Sequence, residues 1–252
     1  MQERPTVLVP IRVLEGESIP EGVPELLANA HVVLLGYHVV PDQTATDQAR
    51  SQFEDQAIRR LDDFTSMLED AGATVDSQLV FTHDGQQTID RTSDERDCLA
   101  VLIPNATRPL EHVLVAVRGI VGTDRFVRVV SGLFASTDVG IVLYHVAGGD
   151  ESDADVETLL DAVATRLAES GVSADSIDIE VARGGDPQAM IVDASADYDA
   201  IVMGESDPSV TTFLFGMRAD QVAKQFLGPV LVIQHEDVDD PDVDPDSDID
   251  TE

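Results

Sequence analysis

Along this chain, short runs of β-branched and other apolar residues alternate with longer stretches in which apolar positions recur every three or four residues. The short runs have the length and composition of buried strands, the longer ones present a single apolar stripe, and their alternation predicts βαβ units. The second half is the clearer. His112 to Val117 predicts a strand, Thr123 to Leu133 a helix and Val139 to Val146 a second strand. A helix from about Asp155 to Glu169 is closed by Gly171, the residue after its cap. Ile177 to Ala182 predicts a third strand, Asp186-Pro187 starts a helix ending near Ser195, and Ala200 to Met203 predicts a fourth strand. A helix over roughly Phe215 to Leu227 stops at Gly228-Pro229, and Val230 to Ile233 closes the set. Such an order implies a parallel sheet with helices on both faces.

The first half says much the same. Val7-Leu8-Val9-Pro10-Ile11-Arg12 returns about 106 residues later as Val113-Leu114-Val115-Ala116-Val117-Arg118, and Leu35-Gly36-Tyr37-His38-Val39 returns as Val142-Leu143-Tyr144-His145-Val146. That period is too long for a solenoid unit and fits a small domain. Strands at Val7 to Ile11, Val32 to His38, Val75 to Phe81 and Leu99 to Ile103, with a long helix Ala49 to Glu69, match their counterparts. After Ile103, however, comes the Pro-flanked linker 104 to 110, which leaves no room for a fourth helix and fifth strand. The expected fold class is therefore α/β, with two tandem doubly wound parallel-sheet modules of which the first is truncated. Module one spans 1–108 and module two 109–235. The Asp-rich stretch 236–252 has too little apolar surface to order itself and is expected to be a disordered, solvated tail. It lacks the Gly and terminal Glu of a calcium loop.

Charge changes the picture. The 252 residues are 43% hydrophobic, enough for packed cores, yet 49 Asp plus Glu stand against 15 Lys plus Arg, for a formal net charge of -34. Lys224 is the sole lysine. Such a load repels itself unless solvent screens it, and at molar salt the Debye length falls to roughly 3 Å. The composition is read as halophilic, an adaptation to concentrated salt, with an ordinary acidic protein as the alternative. Neutralising phosphates requires Lys and Arg clusters, so nucleic acid and anionic membrane surfaces are excluded as partners. The longest apolar run, His31 to Val40, is about half the ~20 residues of a membrane span, and Met1 to Pro5 shows no signal-peptide pattern. A soluble, cytoplasmic protein is expected. Cys98, inside the run Cys98 to Ile103, reads as a small buried hydrophobe.

Ligands of open parallel sheets lie beyond the carboxyl ends of the strands where strand order reverses, here between strands one and four. In module two that brings Arg118-Gly119-Ile120 and Gly204-Glu205-Ser206-Asp207 to the same place. Ala200 to Asp207, Phe213 to Ala223 and Gly228 to Ile233 together resemble the carboxyl-terminal signature of universal stress protein domains. The openings of strand one in both halves, the Tyr-His-Val ends of strand two and Gly185-Asp186-Pro187 fit the same family, of haloarchaeal type given the charge. The resemblance covers module two fully and module one more weakly, and it implies an adenine nucleotide alpha hydrolase-like fold.

The family's nucleotide-binding branch carries Gly, two residues, Gly, nine residues, Gly, then Ser or Thr after strand four. Backbone N–H groups there approach phosphates at a helix start. This chain keeps Gly204 and Gly216, but Asp207 replaces the second glycine, the following interval is eight residues, and Met217 takes the hydroxyl position. Where the family places an acid at the end of strand one, this chain has Arg118, and Arg12 in module one. Two readings stand for these arginines: an anionic ligand gripped bidentately, or pairing with nearby acids such as Glu205 or Glu15. Arg12, Arg118, Gly204, Asp207 and Gly216 are the candidate binding residues. No catalytic constellation or metal spacing stands out. His38 and His145 read as packed strand ends.

The resemblance thus implies a non-enzymatic regulatory or binding protein of the stress response, without a cofactor. The alternatives are an ATP- or AMP-binding protein with slow or no hydrolysis, and a regulatory partner of a membrane transporter. Family modules pair, so a homo-oligomer such as a homodimer, or an intramolecular pseudo-dimer, is expected. Module one's missing fifth strand leaves an edge to be covered.

Overall fold

The computed structural model describes residues 3–105, 107, 109–118, 123–204 and 228–234. The strands are β1 (Thr6–Arg12), β2 (His31–Val39), β3 (Thr74–Thr82), β4 (Ala100–Ile103), β5 (His112–Ala116), β6 (Gly140–Ala147), β7 (Ile177–Arg183), β8 (Ala200–Gly204) and β9 (Val230–Ile233). The helices are α1 (Val23–Leu26), α2 (Thr46–Asp70), α3 (Gly85–Glu95), α4 (Thr123–Phe134), α5 (Asp153–Glu169) and α6 (Pro187–Ala194). Every strand read from the sequence is present, with ends within two residues. The helix read over 215–227 and the tail 236–252 lie outside the described residues.

All nine strands form one sheet in the order β3-β2-β1-β4-β9-β8-β5-β6-β7. The order is nearly a palindrome: β3-β2-β1-β4 mirrors β7-β6-β5-β8, and β9 stands at the centre. β9 runs parallel to β8, with Val202 opposite Leu231, and antiparallel to β4, with Val101 opposite Val232. All other pairings are parallel. Two consequences follow. Module two's last strand covers the edge that module one leaves open, and the two sets of strands run in opposite directions, so their carboxyl ends emerge at opposite rims of the sheet.

The packing is that of a doubly covered sheet. Val7, Val9, Ile11, Val32, Leu34, Leu102, Val113, Val115, Ile141, Leu143, Val202 and Leu231 form a single core with α1, α2, α4 and α5 on one face. That core is continuous across both halves. On the other face α3 closes a cluster around Leu8, Val33, Leu35 and Ile89, and α6 closes one around Leu114, Tyr144, Ile191, Ile201 and Val230. Ile103 of module one belongs to the second of these, so β4 is held by module two's side chains on that face as well. Polar contacts reinforce the junction: Asn29 Nδ2 donates to the Leu133 carbonyl at 3.0 Å, and the Thr107 hydroxyl donates to the Asp199 carbonyl at 2.6 Å.

Local chemistry explains the helix ends. Ser152 caps α5 by accepting from the Asp155 N–H. Gly171 then takes a φ of 96°, a conformation costly for any other residue, while Val172 folds back with its N–H on the Leu167 carbonyl. Asp186 caps α6 through the Ala189 N–H, with Pro187 opening the helix. The sequence reading had no counterpart for α1 and α3. In α3 the buried face is Thr88, Ile89, Thr92 and Ser93, so it shows no apolar stripe; Thr92 hides its hydroxyl by donating to the Thr88 carbonyl at 2.7 Å. Its signal is the cap, Asp84 accepting from Gln87 N–H. Cys98 is buried, which pushes its thiol up to about 12, away from thiolate chemistry.

Candidate functional site

The two strand-one arginines do not meet. Arg118 follows β5 and is exposed, and Gly204 ends the neighbouring strand β8, whose Met203 lies opposite Ala116. These two therefore sit together where the strand order of module two reverses. Arg12 ends β1 at the opposite rim, since β4 and β9 are antiparallel. Asp207, Gly216, Met217 and Glu205 lie outside the described residues, so the altered glycine motif after β8 is represented by Gly204 alone.

The repeats also differ in stagger. Arg12 lies opposite Tyr37, whereas Tyr144 lies opposite Ala116, two residues before Arg118. A slip of two preserves the face on which each side chain stands but not its height. Equivalent letters in the two copies thus occupy different positions relative to the rim.

Around Arg12 the chain supplies its own partners. The Arg12 Nε donates to the Tyr37 hydroxyl at 2.9 Å, Nη1 reaches the Glu15 carboxylate at 3.3 Å, and the guanidinium lies 5.8 Å from the Tyr37 ring centroid. The Arg12 backbone N–H donates to Glu17 Oε2 at 2.7 Å. Burial raises the Glu17 carboxyl above the usual glutamate value even against the pull of Arg12, and burial likewise raises Tyr37. Pairing of Arg12 with Glu15 was legible in the sequence as one of two readings; Tyr37 and Glu17 were not. The Tyr could have been found from strand pairing, once the register was known.

At the end of β6, near Arg118, His145 is 3% exposed and fully bonded. Its Nδ1 lies 2.7 Å from the Val117 carbonyl and its Nε2 3.2 Å from Glu151 Oε2, the same oxygen that accepts from the Gly148 N–H at 2.6 Å. The Gly148 N–H first, and His145 second, hold the Glu151 carboxyl below its usual 4.5. A depressed carboxylate adds stability above the unfolded value and loses it as the pH falls through the folded one. Wild type is therefore expected to exceed a Glu151→Gln variant in urea unfolding at about pH 7, with the difference closing as the pH falls below the usual glutamate range. A pH-independent difference would contradict this. His38, by contrast, stands edge-on to Phe53 and Phe81 with Nδ1 buried and unbonded. Both histidines are packed strand-end residues.

An open groove of about 510 Å³ lies on the α6 side of β7, lined by His112, Asp178, Glu180, Asp197 and Tyr198 among others. Burial and then Glu180 push the Tyr198 hydroxyl up to about 12. The groove is distant in register from the strand ends that carry Arg118 and Gly204. Among the described residues no three His, Cys, Asp or Glu side chains converge as metal ligands, and no helix is long and apolar enough to cross a membrane.

Residues 109–234 match the sequence profile of the Universal stress protein family. The crystal structure of a universal stress protein from Archaeoglobus fulgidus DSM 4304 superposes with a TM-score of 0.62 at 16% identity, covering 92% of this chain and 97% of that one. A putative universal stress protein from Pseudomonas aeruginosa UCBPP-PA14 gives a TM-score of 0.51 at 19% identity, covering 92% of this chain and 94% of that one. At these identities the structural likeness speaks for the fold, and it extends over both halves. No curated protein matches. Half of the chain carries the family's sequence profile, and its sheet is that of the family's solved members: the chain belongs to the universal stress protein family.

Proposed function

We propose that this chain is a non-enzymatic regulatory or binding protein of the stress response, working without a resident cofactor in the salt-rich cytoplasm of a halophile. The observation that supports it most is the closure of module one's rim by Arg12, Tyr37, Glu15 and Glu17, in a fold otherwise kept intact. What the chain has retained is the scaffold: β9 makes an intramolecular pseudo-dimer of modules 1–108 and 109–235, and the acidic tail 236–252 keeps it solvated. Asp207 in the phosphate loop supports the same reading, because a carboxylate there opposes a phosphate.

Thermal unfolding with ATP and with AMP in molar KCl tests this. The expected result is no stabilisation by either and no release of phosphate from ATP. Binding at 100 times the dissociation constant would add about 2.7 kcal/mol and overturn the reading in favour of an ATP- or AMP-binding protein acting at Arg118 and Gly204.

A further inference from the structure

The rim of module one is more than a loop attachment. The Thr6 carbonyl accepts from Leu99, so residues 6, 8, 10 and 12 of β1 direct their backbone groups toward β4. Ladder pairing between these strands is confined to Val7–Ala100 and Leu8–Val101, and beyond it they part. Pro10 has no N–H to offer. The Arg12 N–H therefore opens into the crevice between β1 and β4, the place where a ligand of such a sheet lies. What it meets there is Glu17 Oε2 at 2.7 Å. The same rim gathers two of the chain's 15 basic residues: Arg12 itself, and Arg60 from α2, whose Nη1 donates to the Val13 carbonyl at 3.0 Å. The Tyr37 hydroxyl accepts from the Arg12 Nε and so holds the guanidinium at the rim, and buried Ile19 anchors the loop that brings Glu17 in.

We infer that module one holds a closed anion site at the Arg12 N–H, in which the chain's own Glu17 carboxylate occupies the position that a phosphate-sized anion would take, beside an Arg12 guanidinium held by Tyr37 and Glu15. The contact is autoinhibitory: it keeps the site shut while Glu17 is in place. It goes beyond the proposed function, which leaves open whether the rim merely lacks a ligand or stores a blocked one.

The test titrates inorganic phosphate, at constant ionic strength in molar KCl, into the full chain and into Glu17→Ala, Glu17→Asp and Glu17→Gln variants, reading the Arg12 and Tyr37 amides by NMR. The Arg12 amide is expected to stay put in wild type. It should also stay put in Glu17→Gln, whose neutral oxygen still accepts the N–H. In Glu17→Ala it should move with phosphate, the apparent affinity rising about tenfold or more, as gaining a charge-assisted bond implies. Glu17→Asp, one methylene short, should move in the same direction and serves if the alanine variant does not fold. A wild-type Arg12 amide that shifts as strongly as the variant's would overturn the inference, as would folded alanine and aspartate variants indifferent to phosphate. Shifts at Arg118 and Gly204 report on module two separately, so a failure there bears on the proposed function and not on this contact.

Discussion

Replacing Val232 by proline is expected to destabilise both halves of the protein together, by about 3 kcal/mol or more. Val232 is fully buried, opposite Val101 of β4 on one side and Met203 of β8 on the other. Proline removes its ladder N–H, leaves a carbonyl unpaired at about 1–3 kcal/mol, and adds the steric conflict of a ring in a central strand. The tyrosines provide the readout, since the chain has no Trp: Tyr37 reports on module one, Tyr144 and Tyr198 on module two. Urea unfolding in molar KCl should show Tyr37 and the far-ultraviolet helix signal moving to lower denaturant in step. A shift confined to the module-two tyrosines would mean that β9 belongs to module two alone.

Leu114→Ala is the second large effect, expected at about 2–5 kcal/mol. Leu114 has no exposed surface and sits in the smaller core under α6, with Ile103, Tyr144, Ile191, Ile201, Met203, Val230 and Val232. A cluster of that size has few neighbours able to close over a cavity, which places the cost toward the upper end. Since β8 and β9 stand between β5 and β4, the cavity opens within module two. Leu34→Ala, in β2 and in the large core on the opposite face, loses the same side chain within module one. The two losses are therefore expected to add in the double variant, and a strongly non-additive sum would show that the two faces are coupled.

The inner strands were legible because each is a short apolar run buried on both faces, the edge strands β3 and β7 being largely half-buried or exposed, and the repeat showed that all belong to two related sets. Direction was not. Nothing in Val230 to Ile233 distinguishes a strand that serves one module from a strand shared by two, because burial on both faces looks the same whichever neighbour supplies it. α3 was hidden for a different reason: its inward residues beside Ile89 are Thr88, Thr92 and Ser93, and the two threonines satisfy their hydroxyls on the Asp84 and Thr88 carbonyls. At the site, Arg12 and Arg118 were found as a repeated pair, and the acid Glu15 was named. The Glu17 contact needed the loop's path, which buried Ile19 fixes and which no periodicity announces. The two-residue stagger between the Tyr-His pairs had no sequence signal either, because a slip of two leaves the alternation intact.

Charge completes the account of why the scaffold holds. The surface ion pairs, among them Arg166 with Asp124 and Arg183 with Asp153, are exposed and contribute little each, about 0–1 kcal/mol before screening. With 49 acids against 15 basic residues, cohesion rests on the apolar sheet, and salt in the solvent is expected to lessen the self-repulsion.

The central claim is that β9 completes module one's sheet and makes the two halves one cooperative body. Hydrogen exchange of the full chain in molar KCl, read by mass spectrometry on peptides covering β4, β5 and β9, tests it most directly. The account predicts that Ala100–Ile103 exchanges as slowly as Val230–Ile233 and His112–Ala116, in one step set by global unfolding. Fast exchange of the β4 amides while β5 and β9 remain protected would show an open edge at β4, and would contradict it.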